Sequence, residues 1–227
     1  MLHIIDDDEV IRDSLSWLAQ SRSIPLLTYA SAQEFLAFIA ADSEALTAAG
    51  KTTHSASANA VPGATTSQTM PSGDIQHPEG DCLLLDVRMP GMSGVALFDA
   101  LTARKLTQRF PVIFLTGHGD VPMAVDTLKR GAFDFFEKPF NDNKLMDRVQ
   151  EALASSRAAI ARAVIDSRLA NLSTRERAVL ELILLGKMNK VIADKLGISM
   201  RTVEVHRAHI FDKMHVKTAV ELARLLN

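Results

Sequence analysis

The chain has 227 residues, enough for one large or two small domains with a real buried core. With 47% hydrophobic and 23% charged residues it reads as a soluble globular protein, and a single cysteine, Cys82, excludes a disulfide scaffold or Cys-rich zinc site and fits a reducing compartment. The net charge of −2, taken whole, argues against nucleic acid, no apolar run nears the ~18 residues that span a bilayer, and Leu2–Ile5 is too short for a secretion signal.

In chain order, the apolar run Leu2–Ile5 predicts a buried strand, 9–20 a helix, Pro25–Thr28 a weaker strand and 31–40 a second helix. After an interruption come strand Cys82–Leu85, helix 93–105, strand Val112–Leu115, helix 120–130, strand Phe133–Phe136 and helix 141–158. Strand–helix alternation implies βαβ units and a parallel sheet covered on both faces. The expectation is one doubly wound α/β domain over 1–158. The interruption, 42–81, holds 25 Ala, Ser, Thr, Gly or Pro among 40 residues and no aromatic. Such a segment buries little apolar surface and reads as a disordered or loosely packed loop.

Beyond 158 the strand signal ends. Residues 159–171 read as a helical linker, and 172–227 as an all-α domain of four helices near 174–185, 189–196, 200–214 and 218–226. Gly186 and Gly197 punctuate the first two, Ser173 and Ser199 are N-cap candidates, and Glu176 completes a capping box with Ser173. The charge divides at the same place, with a net −7 over 1–158 and +4 over 172–227.

In a doubly wound sheet, ligands sit beyond the C-terminal strand ends. Asp6 and Asp7 follow the first strand, Asp86 the third, Thr116 the fourth and Lys138 the fifth. Converging carboxylates repel unless a cation neutralises them, and an all-oxygen set suits Mg²⁺. A carboxylate beside Mg²⁺ can act as a nucleophile toward phosphorus, with Lys138 and Thr116 binding the phosphoryl oxygens.

Leu2-His-Ile-Ile-Asp-Asp-Asp-Glu, Leu84-Leu-Asp-Val-Arg-Met-Pro-Gly, Phe114-Leu-Thr-Gly-His-Gly-Asp and Phe136-Glu-Lys-Pro-Phe resemble the four signatures of the two-component receiver domain. The resemblance implies a flavodoxin-like (βα)5 fold in which Asp86 accepts a phosphoryl group from a sensor histidine kinase. By the same resemblance Asp6, Asp7, Asp86 and the Arg88 backbone carbonyl hold Mg²⁺, Thr116, Lys138 and Phe135 form the switch, and Lys138–Pro139 is cis. Helix 120–130 and strand 133–137 become a phosphorylation-dependent homodimer face, although Val121, Ala124, Val125 and Leu128 are as well explained by packing on the sheet. Arg88 and His118 would tune the lifetime of the phosphorylated state. The 40-residue interruption departs from the family, whose loop here is short.

Leu172-Ser-Thr-Arg-Glu-Arg, Gly186-Lys-Met-Asn-Lys-Val-Ile-Ala and Ile198-Ser-Met-Arg-Thr-Val-Glu-Val-His-Arg resemble the LuxR/NarL-type helix-turn-helix domain, and the pair of domains resembles FixJ-type regulators. At 100° per residue Val203, Ile210 and Met214 share one face of helix 200–214, flanked by His206. The opposite face carries Arg201, Val205, Ala208 and Asp212, with Glu204 and His209 at its edges. Lys190, Arg201, Thr202, Glu204, Val205, Arg207, Ala208 and Lys217 form the expected contact set for double-stranded DNA, the four cations acting on phosphates. The whole resemblance implies a cytoplasmic transcription regulator with no enzymatic turnover and no membrane partner, with RNA polymerase as a further partner. A rival, an aspartyl-phosphate phosphatase, would carry a second acid two residues after Asp86, where Arg88 stands.

Overall fold

Strands buried on both faces require uninterrupted apolar runs, and these build one parallel sheet in the computed structural model, which describes residues 1–49, 80–117 and 121–226, with side chains throughout except at 42–49, 121 and 122. The strands are β1 (Leu2–Ile5), β2 (Leu26–Tyr29), β3 (Cys82–Asp86), β4 (Val112–Thr116) and β5 (Asp134–Glu137), in the order β2-β1-β3-β4-β5. That is the flavodoxin-like order, as expected, and its switch point lies between β1 and β3. Helices α1 (Glu9–Ser21), α2 (Ala32–Ala49), α3 (Gly94–Ala103), α4 (Val121–Lys129) and α5 (Asp142–Ala170) alternate with the strands.

Side-chain alternation divides each strand between two cores. Leu83, Leu85, Val112 and Phe114 pack with Phe35, Leu97 and Phe98 of α2 and α3. Cys82, Leu84, Ile113 and Leu115 pack with Leu15 and Ala19 of α1 and Leu145, Met146 and Val149 of α5. Leu84 is fully buried, so truncating it to alanine costs about 2–5 kcal/mol.

A loop is expected from Asp42, but the helix before it runs on past that residue. α2 continues to Ala49, because four of the nine residues from Ala41 to Ala49 are Ala, the best helix former, joined by Glu44 and Leu46. At the other end Gly80 and Asp81 belong to the fold rather than to a loose loop. Gly80 has φ +78°, and a Cβ there would collide with the Leu153 carbonyl oxygen of α5. Asp81 is 1% exposed; its N–H donates to Ser156 Oγ, and its carboxylate faces His3, Arg109 and the Met1 ammonium. Burial alone would raise the Asp81 pKa, yet the His3 hydrogen bond and these cations hold it below the usual range. The central part of the segment, 50–79, lies outside the described residues.

The chain forms two compact units, Met1–Ala159 and Ile160–Asn227. In the second, α6 (Thr174–Leu184), α7 (Asn189–Leu196), α8 (Met200–Met214) and α9 (Ala219–Leu226) enclose a core of Val179, Ile192, Val203, Ile210, Met214 and Leu222. Ser173 and Glu176 form the capping box of α6, and Ser199 caps α8. No helix among the described residues is long and apolar enough to cross a membrane.

Candidate functional site

β1 and β3 are neighbours, and each runs directly into an acid at its C-terminal end. Asp6 is 1% exposed and Asp86 7%. The Asp8 N–H donates to Asp6 Oδ1 at 3.0 Å, and the Arg88 N–H donates to Asp86 Oδ2 at 2.7 Å. The remaining oxygens share one cation, since Lys138 Nζ donates to Asp6 Oδ2 at 2.8 Å and to Asp86 Oδ1 at 2.7 Å. Lys138 arrives from the end of β5, where its N–H donates to the Thr116 carbonyl at 2.6 Å and the Lys138–Pro139 bond is cis. Close approach of α3 completes the wall, because a Cβ at Gly94 would collide with the Asp86 carbonyl oxygen.

Burial pushes the Asp86 carboxyl above the usual carboxylate range, against the pull of Lys138. Burial would lower Lys138, but its hydrogen bonds to Asp6 and Asp86 more than reverse this and hold the ammonium charged. A buried, hard, all-oxygen donor pair compensated by a single ammonium is chemically suited to Mg²⁺. Among the described residues no three His, Cys, Asp or Glu side chains are gathered closely enough to hold a metal ion by themselves, and Asp7, next to Asp6, is solvent-exposed.

Thus Asp6, Asp86 and Lys138 are brought together. Thr116 is buried at the end of β4, and its hydroxyl donates to the Gly117 carbonyl at 3.1 Å. Phe135 on β5 is half-buried against the α2–α3 core, and Arg88 is exposed with its N–H on Asp86. His118 lies outside the described residues. On α4, Ala124 is buried, whereas Val125 is 46% and Leu128 41% exposed. Packing on the sheet therefore does not account for those two, which point away from it.

One group that the sequence reading passed over stands beside the acids. Arg12 Nη1, on α1, donates to the Asp6 carbonyl at 2.8 Å and the Asp7 carbonyl at 3.0 Å. A basic residue one turn into the helix after an acidic pair is the signal that could have pointed to it, because helical side chains lean back toward the N-terminus.

In the second unit, Val203, Ile210 and Met214 bury one face of α8, and Arg201, Glu204, Val205 and Ala208 are exposed on the other. Lys190 at the start of α7 and Lys217 just before α9 are exposed. Thr202 is half-buried, its Oγ1 2.8 Å from Ser199 Oγ, and Arg207 stacks its guanidinium over Phe211 at 5.4 Å. The second helix of a helix-turn-helix, open on one face, is the element that enters a major groove. Below α8, Glu176 Oε2 accepts from Lys213 Nζ at 2.8 Å and from the Ser173 N–H at 2.7 Å. The Lys213 hydrogen bond is the main reason the Glu176 carboxyl is lowered to about 2.

The family described as response regulator receiver domain matches residues 38–150, and bacterial regulatory proteins, luxR family, matches 170–226. The C4-dicarboxylate transport transcriptional regulatory protein DctR of Rhodobacter capsulatus is 43% identical over 99% of this chain and 98% of its own. The transcriptional regulatory protein FixJ of Azorhizobium caulinodans is 38% identical over 99% of this chain and 90% of its own. Among solved structures, the response regulator StyR is similar with a TM-score of 0.61 and 32% identity, covering 99% of this chain and 96% of that one. Both family matches fall in the same order as the two compact units, and the relatives align from end to end: the chain belongs to the FixJ-type response regulators, transcription regulators built of a receiver domain and a LuxR-type DNA-binding domain.

Proposed function

We propose that Asp86 is the residue through which this regulator is switched, accepting a phosphoryl group from a phosphohistidine of its sensor kinase. A carboxylate oxygen of Asp86 attacks phosphorus; the P–O bond forms as the P–N bond breaks and the imidazole leaves. The observation that carries this reading is the single Lys138 ammonium held between Asp6 and Asp86 at 2.8 and 2.7 Å. It offsets charge at the acceptor, and it is in reach to follow a phosphoryl oxygen once one arrives. Asp6, Asp7, Asp86 and the Arg88 carbonyl would hold Mg²⁺, which when bound neutralises and orients the phosphoryl oxygens. Thr116 then turns its hydroxyl from the Gly117 carbonyl to the phosphoryl group, and Phe135 moves with it.

The exposed Val125 and Leu128 of α4 supply the apolar contact for a second copy. A dimer presents two α8 helices to two half-sites of double-stranded DNA, with Lys190, Arg201, Arg207 and Lys217 on phosphates and Thr202, Glu204, Val205 and Ala208 toward the bases. Turnover is not the purpose; the phosphoryl group is a signal, carried in the cytoplasm to DNA and from there to RNA polymerase. Labelling with a small phosphodonor tests the acceptor. Wild type incorporates phosphate and Asp86→Asn does not; undiminished incorporation in the variant contradicts the assignment.

A further inference from the structure

The chain changes from strand to helix across Asp6 and Asp7, and to hold a cation with Asp86 both carboxylates would have to face β3. The residues from Asp6 to Asp8 set the two peptide planes that decide this. The Asp8 side chain caps α1 through the Val10 N–H at 2.9 Å, and the Asp8 N–H is held by Asp6 Oδ1. The two carbonyls of this stretch, those of Asp6 and Asp7, converge on one nitrogen, Arg12 Nη1, at 2.8 and 3.0 Å. Both oxygens are thereby turned toward α1.

The placement is costly by itself. Arg12 sits in the second turn of α1, close to the positive end of the helix dipole, where a cation is unfavourable. It is also half-buried. Two carbonyl acceptors meeting one guanidinium nitrogen compensate for that position.

We infer that Arg12 is a positioning residue for the Asp6–Asp7 pair, fixing through their main-chain carbonyls the orientation in which the pair receives a divalent cation. The inference rests on the reading of the pocket given above. Outer-shell groups of this kind typically change metal affinity when removed. The charge of Arg12 works in the other direction, since a guanidinium near a cation site repels the cation. Positioning and charge therefore predict opposite signs for its removal.

Mg²⁺ titration of the full chain by isothermal calorimetry, with the thermal midpoint measured in the absence of metal, separates them. Expected for Arg12→Ala is roughly tenfold weaker Mg²⁺ binding at an unchanged metal-free midpoint, with much of the loss recovered in Arg12→Lys. Arg12→Gln, which keeps the stem along α1 but not the reach to two carbonyls, serves if the alanine variant does not fold. Unchanged or tighter binding in these variants, or weakening matched by a general fall in the metal-free midpoint, overturns the inference. Asp6→Asn is the control for the pocket. If it binds Mg²⁺ as wild type does, the pocket reading itself falls and the inference with it, a result distinguishable from a failure confined to Arg12.

Discussion

Asp86, Glu176 and Cys82 each respond to pH or to a reagent in their own direction. Asp86 is held above the usual carboxylate range by burial, so ionising it at neutral pH weakens the native state. Asp86→Asn is expected to raise the metal-free thermal midpoint at pH 7, with the gap closing as pH falls toward the ordinary carboxylate value and closed below it. An equal midpoint at pH 7 contradicts this. Glu176 shifts the opposite way. Its carboxyl is lowered from 4.5 to about 2, chiefly by Lys213, so its stabilising contribution is complete above 4.5 and is lost as pH falls toward 2. Acid titration of the full chain by circular dichroism should show Glu176→Gln losing that pH dependence. The variant should also be less stable at pH 7, by about 1.5–3 kcal/mol for the charged Lys213 bond, since Gln keeps an oxygen for the Ser173 cap. Cys82 is fully buried, and burial raises its thiol pKa. Native protein should therefore resist a thiol reagent that labels the unfolded chain promptly.

At the scale of elements, the strands were legible because a sheet covered on both sides leaves no alternation to blur the apolar runs. Leu2–Ile5 is found with those bounds, and Cys82–Leu85 and Val112–Leu115 extend by one polar residue each, Asp86 and Thr116. Those terminal residues are also why much of the site could be read in advance, since a strand that ends in an acid carries it to the ligand-binding edge. What composition hid was the end of α2, where alanine-rich chain reads equally as helix or loose loop. The His3–Asp81 contact was not legible, because it depends on how separate elements meet, whereas the Arg12 contacts are local, five and six residues back along the chain. α4 was read in two ways, and its exposed Val125 and Leu128 favour an interface. Leu128→Asp should leave phosphodonor incorporation intact while sedimentation shows the phosphorylated form remaining monomeric. Dimerisation of this variant at the wild-type concentration would remove α4 from the interface.

For the whole molecule, the overall charge of −2 conceals an acidic receiver of −7 and a basic reader of +4. An acidic first domain fits a pocket that gathers cations, and a basic second one fits phosphate contacts whose strength falls with salt. Lys190→Ala is expected to reduce the slope of log affinity against log salt by about 1 while leaving the preferred sequence unchanged. The claim on which everything else depends is that the state of Asp86 controls DNA occupancy. Genome-wide footprinting of wild type and Asp86→Asn, each with and without phosphodonor at one stated salt concentration, tests it most directly. Expected is a set of sites protected strongly only by phosphodonor-treated wild type; equal protection by all four samples would contradict it.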